Sequence, residues 1–144
     1  MDAHFYNVDI SWTKDRQGEI SSPELSTKVE IATPPQFPKG IEGIWSPEHL
    51  FTSAVASCLM TTFLSIAENS KFEFTAFSCK SHGKLERVEG KFLMTEVILE
   101  PTVTIVNESD REKAERVLQK SEQHCLISNS IKSKITMNTN IVTS

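Results

Sequence analysis

Three cysteines, Cys58, Cys79 and Cys125, are the side chains of this sequence with the widest range of chemistry. A thiolate is a nucleophile and can form a disulfide, whereas a protonated buried thiol packs like a small hydrophobic group. Cys79 lies in a strand-like run without suggestive neighbours, so we interpret it as structural. For Cys58 and Cys125, simple packing and redox chemistry are both open on residue type alone.

The surroundings of the two remaining cysteines differ. Cys58 lies in the middle of an apolar stretch that is predicted to be helical, where burial disfavours ionisation and the helix N-terminus is too far away to help. A reactive Cys58 would therefore need a cation to stabilise its thiolate. Cys125 lies at a predicted helix break, and a helix that begins at Leu126 would place it near a positive helix end.

The four histidines, His4, His49, His82 and His124, are widely spaced and show no metal-ligand pattern. We therefore expect no metal, and the absence of a glycine-rich phosphate loop gives no reason to expect a cofactor. His124 stands next to Cys125, but adjacent residues of a helix do not face each other, which argues against a cysteine hydrolase.

Composition excludes several classes of partner. The chain has 144 residues and a net charge of −4 without a basic cluster, so nucleic acid is not an expected partner. The segment 1–9 has acidic residues and no apolar run, so it is not expected to be a signal peptide. The stretch 50–67 carries too many polar residues for a membrane span. With only three cysteines, we expect a reducing, cytoplasmic location in which any disulfide is transient.

The elements that must position the cysteines follow from periodicity. Alternation over 6–12 predicts a half-buried strand, 13–18 a turn, and 19–21 and 28–33 further strands. The segment 33–43 is rich in proline and glycine and is predicted to be a loop. Ser46, Pro47 and Glu48 then suit the start of a helix that should run to about Asn69. Apolar and small residues on nearly every face of this helix indicate a central, buried position.

The second half of the chain predicts a hairpin over 72–87 and 91–100, with its turn at 89–90 and an extension over 102–106. A capping-box pattern at 109–112 predicts a helix with one buried stripe, which breaks at 123–125 before a short helix over 126–132. Alternation over 135–141 predicts a last strand. We therefore expect one α+β domain, residues 1–144, with a mainly antiparallel sheet.

Three segments carry a resemblance to a known family. They are the run from Ser46 to Phe51, the run from Ala56 to Cys58, and the run from Cys125 to Ser130. A Pro-Glu pair followed ten residues later by a cysteine, with a downstream Cys-Leu-Ile-Ser segment, resembles the OsmC/Ohr family over nearly the whole chain. The name of that family refers to osmotic induction and organic hydroperoxide resistance.

The resemblance implies an intertwined homodimer, in which long central helices pack against curved antiparallel sheets. It implies reduction of organic hydroperoxides, with Cys58 as the attacking cysteine and Cys125 as the resolving one. Glu48 matches the family's glutamate, and Arg16, in a turn before Gly18, fits the place of its arginine. Arg16 would hold the Cys58 thiolate while Glu48 fixes the guanidinium through a bidentate pair. A lipoyl-type or other small dithiol would reopen the disulfide.

The spacing of these residues bears on the homodimer. Ten residues of continuous helix span roughly 15 Å, so Glu48 cannot reach Cys58 along its own helix. A pair of Arg16 and Glu48 acting on Cys58 would then come at least partly from the partner chain. The apolar Phe51, Leu59 and Phe63 could line a substrate pocket. Two other functions are possible on the same fold: a dimeric binding protein for a small hydrophobic ligand, and a redox sensor that passes its disulfide to a partner.

Overall fold

The computed structural model describes all residues, Met1–Ser144. The chain forms two compact units, Met1–Leu50 and Phe51–Ser144, which are described separately. The expectation of one domain over 1–144 stays a prediction.

The first unit is built on an antiparallel sheet of three strands in chain order: β1 (Asp9–Lys14), β2 (Gln17–Ser22) and β3 (Leu25–Ala32). The predicted turn after β1 shrinks to Asp15 and Arg16, and Asp15 adopts a positive φ of 46°. Gly18 lies opposite Trp12, and a Cβ at Gly18 would lie 2.6 Å from the Ser11 carbonyl oxygen. Only glycine therefore lets β2 approach β1 so closely beside the Arg16 turn.

The predicted strand over 6–12 is confirmed in type but lies later, at Asp9–Lys14, and its side chains are exposed on both faces rather than half-buried. Ile10 and Trp12 are 68% and 76% exposed. The alternation predicted correctly that one face is apolar, but a periodic pattern does not say what covers that face. It is unusual for a strand to expose several large apolar side chains to solvent.

The predicted loop leads to the start of the long helix α1 (Pro47–Asn69), and the start agrees with the sequence. The Ser46 hydroxyl accepts the His49 backbone N–H at 3.2 Å, while Nδ1 of His49 accepts the Ser46 N–H at 3.3 Å. This is a reciprocal capping box in which histidine takes the place that glutamate or glutamine usually holds. Pro47 occupies the first helical position and Glu48 the second.

Helix α1 buries one stripe rather than its whole surface. Val55, Leu59, Phe63 and Ala67 are buried, whereas the opposite face, which includes Met60 and Leu64, is exposed. The expectation of burial on nearly every face is therefore wrong for the single chain. By length and composition α1 could cross a membrane, but its buried stripe packs against strand side chains of the second unit.

The second unit contains a long hairpin of β4 (Ala76–Val88) and β5 (Lys91–Ile105). Its turn, Glu89 and Gly90, has positive φ at both residues, which is the requirement of a type I′ turn. At Gly83 the β4 backbone comes very close to α1. A Cβ there would lie 2.0 Å from Oγ1 of Thr52 and 2.8 Å from Cε of Met94.

The last predicted strand is divided into β6 (Lys134–Met137) and β7 (Asn140–Thr143), and both pair with β5 in parallel. The register is the same on either side of the gap. The interruption lies opposite Pro101, which has no N–H to donate to a ladder. The pair β4–β5 is antiparallel, whereas β6 and β7, which follow the helices, are parallel to β5. A crossover through helices is the usual connection between parallel strands.

Between β5 and β6 the chain forms a short 3₁₀ turn (Glu108–Asp110), α2 (Arg111–Gln123) and α3 (Leu126–Ser130). Ser109 does not cap α2 as the sequence pattern predicted, because it lies inside the 3₁₀ turn. An ion pair between Arg111 and Glu108 stands there instead. The predicted stripe of α2 is confirmed, and its buried residues are Ala114, Val117, Leu118 and Ser121.

The core of the second unit has two clusters along α1. The first surrounds Phe63, against which the rings of Phe74 and Phe77 lie with centroids 5.0 and 4.8 Å away. The second contains Val55, Leu59, Val97 and Leu99, with residues of the α3 region packed against it. The second cluster therefore joins the middle of α1 to the segment that follows α2.

Candidate active site

Helix α1 presents Cys58 beside its buried stripe, one position before Leu59. The thiol is half-buried, and its sulfur lies 3.9 Å from Oγ1 of Thr62, one turn further along. Because Val55 and Leu59 are held in the core on the same helix, Cys58 has a fixed position at the edge of that core.

Cys125 is fully buried and immediately precedes α3. Its N–H donates to the Glu122 carbonyl at 3.3 Å, and its carbonyl accepts the Asn129 N–H at 3.0 Å. The end of one helix and the first turn of the next thus fix its backbone from both sides. The predicted break at 123–125 is confirmed, and its role is to bring this thiol to the second core cluster.

The Cys125 thiol lies within hydrogen-bonding reach of Cys58, which the sequence could not show. Burial raises the pKa of Cys58 and is the largest single cause. Hydrogen bonds from the Cys125 thiol, the Ile127 N–H, the Thr62 hydroxyl and the Leu126 N–H together outweigh it, so the pKa lies below the usual range. Every one of these donors is neutral, so the cation that the sequence argument required is not needed for this shift.

The pKa of Cys125 moves in the opposite direction. Burial raises it, and the neighbouring Cys58 raises it further, both as a hydrogen-bond acceptor and as a negative charge. The hydroxyl and backbone N–H of Ser128 lower it, but the net pKa lies above the usual range. The pair therefore ionises at Cys58 first, while Cys125 remains a protonated thiol that donates to it.

Arg16 and Glu48 lie in the first unit, where both line one cavity of about 620 Å³. Arg16 occupies the turn between β1 and β2, and its carbonyl accepts the Thr33 N–H at 3.1 Å. Glu48 lies in the first turn of α1. Seven of the other twelve lining residues are apolar, and Asp15 adds a further charge: the apolar ones are Ile10, Trp12, Ile31, Ala32, Pro34, Phe37 and Pro47. The two charged residues that the resemblance selected thus share an apolar cavity.

The three expected pocket residues lie elsewhere. Leu59 and Phe63 are fully buried in the core, and Phe51 packs against the second cluster. This corrects the expectation of a substrate wall, because the periodic stripe of α1 faces the strands. Apolar cavity walls come instead from Ile10, Trp12 and Phe37 of the first unit. In the sequence, these three residues can be recognised only as apolar side chains near the Arg16 turn and in the proline-rich loop.

A thiol of lowered pKa next to a buried thiol of raised pKa is an arrangement that can support dithiol redox chemistry. It is held here by an α+β fold with one long helix.

The chain belongs to the OsmC-like protein family, whose model matches residues 38–140. The α+β fold expected from the sequence is thereby confirmed, and the residues that carried the resemblance lie within the matched range. Comparison with curated proteins gave no match.

Solved structures share the fold at low sequence identity. An OsmC-like protein of unknown function from Vibrio cholerae superposes with a TM-score of 0.84 at 21% identity, covering 95% of this chain and 99% of that one. An organic hydroperoxide resistance protein OsmC from Legionella pneumophila has a TM-score of 0.76 at 23% identity, covering 97% and 99%. The organic hydroperoxide resistance protein OhrB of Bacillus subtilis has a TM-score of 0.69 at 19% identity, covering 94% and 98%.

Proposed function

We propose that this protein is a thiol-dependent peroxidase that reduces organic hydroperoxides through Cys58 and Cys125. The observation that carries the proposal is the contact between two thiols whose pKa values are shifted in opposite directions. A nucleophile held as a thiolate next to a protonated second thiol is what a two-cysteine peroxidase requires. Names of two similar structures, organic hydroperoxide resistance proteins, support the substrate class.

The chemistry has three steps. The Cys58 thiolate attacks the distal peroxide oxygen; the O–O bond breaks, the alkoxide takes up a proton to leave as an alcohol, and the sulfur becomes a sulfenic acid. The Cys125 thiol then displaces the sulfenic hydroxyl as water and forms the Cys58–Cys125 disulfide. A small dithiol, of the lipoyl type or another, reduces that disulfide and is itself oxidised.

Arg16 and Glu48 would complete the site by binding the reacting peroxide and the thiolate. The arginine stays charged and offers a planar set of donors, and the carboxylate of Glu48 can orient it. Helix α1 is continuous through Glu48 and Cys58, and ten helical residues span roughly 15 Å. In our proposal, Arg16 and Glu48 therefore act on the Cys58 of a partner chain in a homodimer.

The exposed apolar surfaces support a homodimer as the working form. The outer face of α1 includes Met60 and Leu64, and the sheet of the first unit exposes Ile10, Trp12 and Leu25. Large apolar side chains on both elements are typical of surfaces that an assembly covers. A two-fold dimer would bury the same faces from both chains.

A second function is favoured by the apolar cavity alone. A volume of about 620 Å³ is within the usual range for small-molecule sites, roughly 300–1,000 Å³. The protein would then bind a small hydrophobic ligand without turning it over. The two functions differ in whether peroxide oxidises the cysteines.

The test is consumption of cumene hydroperoxide with dihydrolipoate as the reductant. We expect wild-type protein to turn over, Cys58→Ser to be inactive, and Cys125→Ser to be oxidised once without forming the intramolecular disulfide. Cys79→Ser is the matched control and should keep full activity. Absence of turnover in the wild type, with both thiols free after peroxide treatment, would reject the peroxidase and leave the binding protein.

A further inference from the structure

Ser128 differs from the other serines of its region. This residue is 9% exposed, and its hydroxyl oxygen is buried without a hydrogen-bond partner. By contrast, the Ser121 hydroxyl donates to the Val117 carbonyl at 2.6 Å, and that of Ser130 donates to the Leu126 carbonyl at 2.7 Å. Both follow the usual habit of helical serines. A buried hydroxyl that does not do so is costly unless another group uses it.

The group next to this hydroxyl is the resolving thiol. Cys125 is the N-cap of α3 and Ser128 its third residue, and no side-chain cap hydrogen bond is formed between them. The N-cap and third positions are nevertheless the ones whose side chains lie side by side at the start of a helix. The Asn129 N–H donates to the Cys125 carbonyl at 3.0 Å, so that turn is formed. The hydroxyl and N–H of Ser128 both favour the ionised form of Cys125, against burial and against the neighbouring Cys58.

We propose that Ser128 is a catalytic residue that donates its hydroxyl hydrogen bond to the Cys125 sulfur while that sulfur attacks oxidised Cys58. The proposal rests on the peroxidase function above and deepens it. In the resting pair the hydroxyl makes no hydrogen bond, because the neutral Cys125 thiol is a weak acceptor. As negative charge develops on the sulfur, the same hydroxyl becomes a charge-assisted donor.

Ser128 assists the step in which the Cys125 sulfur displaces the hydroxyl group of oxidised Cys58. The Cys125 S–H bond breaks and its proton goes to the hydroxyl that leaves Cys58, which departs as water. The Cys58 S–O bond breaks, and the new S–S bond uses the electron pair of the Cys125 sulfur. Cys125 is oxidised and Cys58 is reduced from sulfenic acid to disulfide. Ser128 keeps its proton and acts only as a donor.

A structural role would require only that Ser128 fill space, and alanine does that nearly as well. Two measurements separate the two roles. The first is the rate of disulfide formation after one equivalent of cumene hydroperoxide, compared among wild type, Ser128→Ala and Ser130→Ala. The second is the pH titration of thiolate absorbance in a protein with Cys58→Ser and Cys79→Ser, with and without Ser128→Ala.

Loss of a hydrogen bond to a charged group should slow disulfide formation in Ser128→Ala about tenfold. Initial oxidation of Cys58 should change less than about twofold, and the deficit should shrink at higher pH as Cys125 ionises unaided. Ser130→Ala should behave as wild type. In the titration, Ser128→Ala should move the Cys125 midpoint upward.

An unchanged titration midpoint, or equal rates of disulfide formation in Ser128→Ala and wild type, would overturn the role of Ser128. A raised midpoint in a protein whose wild type is inert to peroxide would instead overturn the peroxidase function and uphold the contact of Ser128 with Cys125. Failure of the two proposals is therefore distinguishable.

Discussion

At the scale of single residues, the two cysteines differ in pKa because their environments differ. Cys58 accepts hydrogen bonds from a thiol, two backbone N–H groups and a hydroxyl, while Cys125 is enclosed and donates to it. Two thiols in contact titrate as a pair, and the first proton leaves from the better-solvated member. In the proposed mechanism, burial and hydrogen bonding therefore favour Cys58 as the attacking cysteine and Cys125 as the resolving one.

The first prediction concerns pH. A thiol with a lowered pKa is a thiolate above that pKa and loses reactivity as pH falls through it, so Cys58 should react at lower pH than an ordinary cysteine. Cys125→Ala removes one donor and should shift the profile to higher pH. The measurement is the rate of Cys58 alkylation by iodoacetamide against pH, with Cys79→Ala as the control. A profile that Cys125→Ala leaves in place would contradict the assigned cause.

The second prediction concerns the arginine. Arg16→Ala should lower kcat/KM for cumene hydroperoxide about a hundredfold, the size expected for a preorganised charged donor. Stability should change by less than about 0.5 kcal/mol because Arg16 is exposed. Arg16→Lys should recover only part of the activity, since a lysine lacks the planar donor fork. Lys14→Ala, which removes a nearby exposed cation, is the control; an equal loss there would point to general electrostatics instead.

Some residues of the candidate site could be predicted from the sequence and others could not, for physical reasons. Cys58, Cys125, Arg16 and Glu48 stand in a recognisable spacing, so the sequence could propose them, and their roles stay predictions. The Leu126 and Ile127 backbone donors could not be found, since a main-chain N–H has no sequence signature. The apolar stripe of α1 was mistaken for a pocket wall at Leu59 and Phe63, because periodicity identifies a buried face without saying whether protein or ligand covers it.

At the scale of elements, the start of a helix could be predicted where neighbouring residues in the sequence form its cap. Ser46, Pro47 and His49 form the start of α1 among themselves. At the start of α2 an ion pair of Glu108 with Arg111 stands where the sequence pattern predicted a cap by Ser109. The break between β6 and β7 depends on Pro101, some forty residues earlier, so no local pattern could reveal it.

The third prediction tests the capping box of α1. Ser46→Ala should lower the free energy of unfolding by about 1–2 kcal/mol, because a buried hydroxyl that caps the helix is lost. His49→Gln should be nearly neutral, since glutamine can accept the Ser46 N–H in the same way. Urea unfolding measures both changes. A neutral Ser46→Ala would show that tertiary packing alone fixes the helix start.

The fourth prediction tests the close approach of β4 to α1. Gly83→Ala should destabilise the protein by about 1–3 kcal/mol, because its methyl group would meet Thr52 and Met94. Thr52→Ala removes the nearest atom, so the cost of Gly83→Ala should be smaller in that background. The measurement is a double-mutant cycle by thermal or urea unfolding. Additive effects would contradict the contact as the cause.

At the scale of the whole molecule, the sequence predicted an α+β fold, and the structure and family confirm it. The sequence could not predict that much of the apolar surface of α1 and of β1 is exposed in a single chain. Residue patterns report that a face is apolar, whereas its cover depends on surfaces far away in sequence or on another chain. The homodimer accordingly stays a proposal that the exposed faces support.

The fifth prediction is that light scattering will give twice the mass of the chain in solution. Leu64→Arg places a charge on the exposed apolar face of α1 and should shift the protein to monomer, with peroxidase turnover lost in parallel. Val106→Arg changes another exposed apolar residue, outside α1 and β1, and is the control. A fully active monomer would contradict both the dimer and a site shared between chains.

In the proposed mechanism, the unequal exposure of the two cysteines also sets the direction of the return reaction. Of the two residues of the disulfide, Cys58 is the one that an incoming thiolate can approach, since Cys58 is half-buried and Cys125 is fully buried. Thiol exchange requires direct approach to the sulfur that is attacked. The mixed disulfide with the reductant should therefore form regioselectively on Cys58. With Cys125→Ser it should persist, as a covalent adduct that intact-mass spectrometry can trap.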